Sequence, residues 1–118
     1  DKGAAVGQCQ KELLIAGKAR IDRGILHSFQ NAVANCQDEN LKKTLDKMCD
    51  LYALSTIEEN KGWYLERGYL SGSKSAAIGE QVTELCAEIR PDAVALVDSF
   101  GIPDKCLAAP IAFGKNPA

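Results

Sequence analysis

The chain has 118 residues, 46% of them hydrophobic and only 6% aromatic, so one core built mainly from Leu, Ile, Val and Ala is expected across a single domain, residues 1–118. A charged fraction of 25% with a net charge of −2 leaves no electrostatic footprint for nucleic acid; the longest basic run is Lys42-Lys43. No apolar run reaches the ~20 residues of a membrane span, and Asp1-Lys2-Gly3-Ala4-Ala5-Val6 has neither an initiator Met nor the basic and apolar regions of a signal peptide, so the chain is expected to begin inside a longer protein or after processing.

The first predicted helix runs from about Gln8 to about Cys36. Ile21, Ile25, Phe29, Ala32, Val33 and Cys36 recur at three- and four-residue steps, which assigns them to one apolar face. Gly17 and Gly24 each cost about 1 kcal/mol relative to Ala within a helix. Close approach of a neighbouring helix at these bare positions is the expected offset.

Gln37-Asp38-Glu39-Asn40 is a polar break, with Asp38 as N-cap and Glu39 in the first turn of a second helix. That helix carries Leu41, Leu45, Met48, Cys49, Tyr52 and Thr56 on one side, and Leu51, Leu54 and Ile57 widen the stripe. A helix apolar on two sides belongs inside a bundle. It is predicted to continue to around Glu66, where Gly68 stops it in a left-handed conformation.

Ser71-Gly72-Ser73 is a turn, and either serine is suited to cap the third long helix. Its stripe is Ile78, Val82, Leu85, Cys86 and Ile89. Pro91 lacks an N–H and restricts Arg90, so a bend or new start falls there. A shorter fourth helix, Asp92 to Phe100, is predicted with Val94, Val97 and Phe100 facing inward. Gly101 suits its end, with Ile102 folding back on Val97. One last turn is expected over 103–107, then an irregular tail over 108–118. The class is all-α: an up-down bundle of three long helices and a shorter fourth.

The cysteines are Cys9, Cys36, Cys49, Cys86 and Cys106, an odd number at wide spacing without a C-x-x-C pair. Cys36, Cys49 and Cys86 fall on the apolar stripes, so buried free thiols are expected rather than a disulfide framework, and with them a reducing compartment.

No catalytic constellation emerges. The one histidine, His27, supplies no metal pair. Glu58 and Glu59 point about 100° apart on a helix and form a solvated face beside Asn60 and Lys61. Glu84 and Glu88 repel one another mildly, and Arg90 is the expected counter-charge. Gly68 to Ser75 imitates a phosphate loop only in its Lys74-Ser75 ending; the spacing is wrong and no strand precedes it. Trp63, Tyr64 and Tyr69 cluster at a helix end; core or interface packing is the default expectation, with the wall of an apolar pocket as the alternative.

Two stretches resemble the C-terminal domain of peroxisomal-type acyl-CoA oxidases. The first is Met48-Cys49-Asp50-Leu51-Tyr52-Ala53-Leu54-Ser55-Thr56-Ile57-Glu58, followed by Trp63-Tyr64-Leu65-Glu66-Arg67-Gly68-Tyr69-Leu70-Ser71. The second, and more specific, is Ile89-Arg90-Pro91-Asp92-Ala93-Val94-Ala95-Leu96-Val97-Asp98-Ser99-Phe100-Gly101-Ile102-Pro103-Asp104. The resemblance covers most of residues 8–112. It implies a flavoprotein oxidoreductase of fatty acid metabolism that oxidises acyl-CoA to trans-2-enoyl-CoA, with a carboxylate base, hydride transfer to FAD and release of hydrogen peroxide.

The resemblance further implies a homodimer in which a helical region, a β domain and a central helical domain precede this bundle. The base and the flavin pocket are expected in those other domains. No catalytic, cofactor-binding or metal residue is therefore assigned here; Glu58 matches only as part of a structural helix, and no FAD is expected on these residues alone. Many peroxisomal members end in a Ser-Lys-Leu-type address, whereas this chain ends Gly114-Lys115-Asn116-Pro117-Ala118, which sets a peroxisomal against a cytoplasmic location. The competing functional reading is a free-standing helical scaffold or lipid-binding module without catalysis.

Overall fold

A computed structural model describes residue 7 and residues 9–106; the predicted tail over 108–118 lies outside the described residues. Among the described residues there are helices and turns and no strand. The long helices are α1 (Gln10–Asn35), α2 (Glu39–Glu59) and α4 (Gly72–Ile89), with short α3 (Lys61–Glu66) and α5 (Ala93–Asp98) and 3-10 turns at Arg90–Asp92 and Asp104–Cys106. The all-α bundle expected from the sequence is the observed class.

Local chemistry explains the punctuation. Asp38 ends the first break by accepting the backbone N–H groups of Asn40 and Leu41 at 2.9 Å each through Oδ1, the N-cap role expected of it. Ser71 caps α4, its Oγ accepting from Lys74 N at 3.3 Å. At the end of α3, Gly68 takes φ +71°, Tyr69 N donates to Tyr64 O at 2.9 Å and Gly68 N to Leu65 O at 3.1 Å. This is a complete Schellman stop. Pro91 opens a 3-10 turn after Arg90, where the bend was predicted.

The second helix is not continuous to Glu66. It ends at Glu59, and Asn60 (φ −104°, ψ 13°) turns the chain before α3 begins. The Asn60 amide donates to Thr56 O at 2.7 Å, so its side chain engages a terminal carbonyl of α2, a competition with helix continuation that short amides are suited to.

Helix α2 is the middle of the arrangement, with α1 against one side and α4 against the other. Its whole stretch from Leu51 to Glu58 is half-buried. Gly79 marks a close approach on the α4 side: a Cβ there would stand 3.1 Å from Oε1 of Glu58. Lys47 meets Glu88 at 2.8 Å, and Thr44 Oγ1 donates to Asp92 Oδ2 at 3.3 Å. Glu88 thus finds its cation in Lys47 on the facing helix rather than in the expected Arg90.

Several expected core positions are not covered. Val94, Val97 and Phe100 are 74%, 67% and 76% exposed instead of inward-facing; α5 turns Leu96 toward the bundle. Gly101 has the predicted left-handed φ of 62°, and its N–H bonds Asp98 O at 2.9 Å, yet Ile102 is exposed rather than seated on Val97. Cys86 is exposed, although it lies on the predicted stripe; of the three stripe thiols only Cys49 is buried and Cys36 half-buried. All five cysteines are free.

Helix α1 differs most from expectation. Its inward face is Asp22, Leu26, Phe29 and Val33, at four-, three- and four-residue steps, while Ile21 and Ile25 point outward. The acid at 22 disguises the true stripe. Nothing lies within 4 Å of a Cβ built at Gly17 or Gly24, so no helix of the described chain approaches them.

Candidate functional site

A partly open cleft of about 610 Å³ lies between α1, α2 and the α3 turn. Helix α1 supplies Ile15, Ala19 and Leu26 to its wall, and α2 supplies Ala53 and Ile57. These recur every three or four residues on their helices, which brings them to the shared groove. Ala19 and Ala53 keep the floor low. A shallower apolar depression between α2 and α4 is lined by Leu54, Ala77 and Ile78.

One end of the cleft is aromatic. Trp63 stacks on Tyr69 with centroids 5.6 Å apart and meets Tyr64 edge-on at 5.2 Å. The Arg67 guanidinium lies 5.5 Å from the Trp63 ring centroid, a cation–π arrangement. The Schellman stop creates this cluster, because it folds Tyr69 back over the helix carrying Trp63 and Tyr64. The sequence grouped these three aromatics with core or interface packing as the default reading; the structure sets all three in the lining of the cleft.

A polar belt crosses the cleft. Lys18 Nζ bonds Asp22 Oδ2 at 3.0 Å and stands 3.9 Å from Glu59, and Tyr52 Oη donates to Asp22 Oδ1 at 3.3 Å. The bond to Asp22 raises the Lys18 pKa, with burial opposing it. Burial first, and then the Asp22 charge, raises the Tyr52 phenol. Both shifts lead away from neutrality, so near pH 7 Lys18 stays an ammonium and Tyr52 a neutral phenol. Neither is poised as a general base. Arg23 lines the same cleft and makes no ion pair among the described residues.

The other screened residues lie apart. His27 is exposed and shares a 3.3 Å contact with Asn31. Glu58 is half-buried against Gly79 and 3.9 Å from Lys61, whereas Glu59 projects to Lys18, so the two carboxylates serve different neighbours. Gly68 to Ser75 is a helix stop followed by a serine cap. No group of three or more His, Cys, Asp or Glu side chains suited to a metal ion occurs among the described residues. Sequence reasoning missed the α1 half of the cleft. Its signal was present as Ile15, Ala19, Asp22 and Leu26, a second helical face beside the Ile21–Ile25 one.

Fold and cleft together define an all-α helical layer with a preformed, largely apolar groove. The chain belongs to the acyl-CoA oxidase family, whose model, described as "Acyl-CoA oxidase", matches residues 1–114. It is 38% identical over 112 residues to Acyl-coenzyme A oxidase 2, peroxisomal, of Arabidopsis thaliana, covering 95% of this chain and 16% of that protein. It is 32% identical over 114 residues to the Acyl-coenzyme A oxidase-like protein of Mus musculus, covering 97% of this chain and 18% of that one. Peroxisomal acyl-coenzyme A oxidase 1 of Bos taurus is 32% identical over 98 residues, 83% of this chain and 15% of the relative. The chain therefore spans less than a fifth of these relatives' length. No solved structure matches it.

The cofactor expected of such an oxidase, FAD, is not suited by the described residues alone. A dinucleotide diphosphate asks for a nest of backbone N–H groups or uncompensated cations. Here the glycine-containing turn satisfies its own helix ends, and Lys18 is held by Asp22 and Glu59. That leaves Arg23 as the cleft cation without an ion pair among the described residues, and one exposed guanidinium does not make a diphosphate nest.

Proposed function

We propose that this chain is the C-terminal structural and assembly domain of an FAD-dependent acyl-CoA oxidase, which converts acyl-CoA to trans-2-enoyl-CoA and releases hydrogen peroxide in fatty acid β-oxidation. Its partners are the remaining domains of the same oxidase and, in a homodimer, a second subunit. The base that removes the α proton and the flavin contacts belong to those other domains. The names of the Arabidopsis and bovine relatives favour the peroxisome as its compartment.

One observation carries the reading. Among the described residues the three long helices bury only Val33, Cys49 and Leu85, while large apolar residues on α1, α5 and the aromatic turn face outward. Such faces are what a helical layer presents when further protein covers it.

The test is expression of the full reading frame that encodes these residues. It is expected to carry oxidase domains upstream of Asp1, to bind FAD and to produce hydrogen peroxide from acyl-CoA. Residues 1–118 purified alone are expected to bind no flavin. Stoichiometric FAD on that shorter chain would overturn the assignment.

A further inference from the structure

The cleft between α1, α2 and α3 is more particular than an uncovered face, because it is concave, bottomed by small residues and bounded by a preset aromatic cluster. We propose that a helix from the part of the same polypeptide outside residues 1–118 inserts its apolar face into this cleft, with a carboxylate set against Arg23. The inference rests on the reading of the chain as an assembly domain and names where that assembly happens.

The chemistry of the walls selects a protein segment. Trp, Tyr and Arg are the residues that concentrate binding energy at interfaces. Here Trp63 and Tyr69 of the cleft wall are already stacked, and Arg67, which is not a lining residue, lies over the Trp63 ring, so little side-chain freedom remains to be lost on docking. Tyr69 is nevertheless 72% exposed, with its ring held over the cleft end and uncovered. Walls from the two packed helices α1 and α2, with Ala19 and Ala53 among their lining residues, form the kind of groove a third helix fills in a bundle.

Charge narrows the occupant further. Lys18, Asp22, Glu59 and Tyr52 satisfy one another across the belt, whereas Arg23 has no ion partner among the described residues. An inserted helix bearing Asp or Glu at that position completes the pairing. A segment of the same polypeptide is favoured because the Arabidopsis acyl-coenzyme A oxidase 2 and the mouse relative carry more than four-fifths of their length outside the matched stretch. Covalent linkage raises its effective concentration to about the millimolar range. A second copy presents its own concave cleft, and two concave surfaces related by a twofold axis leave the space between them unfilled. A small apolar ligand wants walls that bury most of its surface, and this cleft is only partly enclosed.

The experiment uses the full-length protein with the photoreactive residue p-benzoylphenylalanine in place of Tyr69. Irradiation is expected to give a cross-link within one chain, mapped by mass spectrometry to an apolar helical segment outside residues 1–118. Two variants are expected to lose that cross-link while keeping their helical circular dichroism: Ala53→Trp, which fills the floor, and Arg23→Glu, which repels the incoming carboxylate. A cross-link at the mass of two chains, a cross-link to a co-purified lipid, or none at all overturns the inference. Flavin content and peroxide formation, read on the same preparation, keep the two proposals separate. Both present without the intrachain cross-link sinks this inference alone, whereas both absent sinks the oxidase reading.

Discussion

Cys49 sits against α2's neighbours with 6% of its surface exposed, and burial, aided by the Asp50 and Asp46 charges, raises its thiol pKa. The thiolate is the reactive form, so this residue is doubly protected. Cys9, Cys86 and Cys106 are exposed, and Cys36 is half-buried with its Sγ 3.5 Å from Asp38 O. Ellman's reagent added to the folded 118-residue chain is expected to modify the three exposed thiols first, Cys36 more slowly and Cys49 only on unfolding. Rapid modification of Cys49 would mean that α2 is not held between its neighbours. The same burial sets an alkaline limit. Cys49, Tyr52 and Lys18 all have raised pKa values, so each keeps its proton longer in the folded chain than in the unfolded one. Their contribution is fully present below the unfolded values and is lost as pH rises through the folded ones. Urea midpoints are expected to fall above about pH 9, where the unfolded Cys49 thiol first ionises. Tyr52→Phe should flatten the later part of that fall while leaving the acid side unchanged.

At the scale of the helix, the ends were legible because each has a local cause. Asp38, Ser71, Gly68 and Pro91 act on hydrogen bonds within four residues of themselves, and the structure uses all four as the sequence suggested. Asp38→Ala is expected to cost about 1 kcal/mol in urea unfolding, the ordinary value of an N-cap. Gly68→Ala is expected to cost about 1–2 kcal/mol through backbone strain alone, since φ is +71° and open space surrounds the missing Cβ. An unchanged midpoint for Gly68→Ala would show that the stop and its aromatic cluster are not formed. The faces were harder to read than the ends. Periodicity identified α2 and α4 apart from Leu41 and Cys86, which are exposed, but on α1 it preferred Ile21 and Ile25 to the face holding Asp22. Lys18 and Tyr52 make that acid tolerable, and both facts are invisible until α1 and α2 meet. The cleft was half legible for the same reason: its aromatics are neighbours in sequence, while the α1 wall joins them only in space.

The whole molecule is extended, with a Cα radius of gyration of 19.2 Å and extents of 54 × 38 × 31 Å. A compact domain of about 100 residues has a radius of gyration of ~13 Å. The sequence supplied enough apolar residues for a closed core, yet among the described residues no large side chain is fully buried. Hydrophobic spacing reports which face a helix can bury, and it is silent on whether the covering surface belongs to the same 118 residues. Val94, Val97 and Phe100 are the clearest instance, since they form the spaced stripe predicted for the core and stand at least 67% exposed. This separates two kinds of apolar position by measurement. Leu85→Ala, at a site 7% exposed, is expected to lose about 2–5 kcal/mol in the 118-residue chain and in the full-length polypeptide alike. Phe100→Ser should stay within about 0.5 kcal/mol in the shorter chain, as an exposed substitution does. In the full-length protein the same change is expected to cost about 3 kcal/mol or more, because the ring is then covered. Equal, small effects of Phe100→Ser in both contexts would show that α5 faces solvent in the complete oxidase, and the assembly role would then have to rest on the α1 face and the aromatic cleft without it.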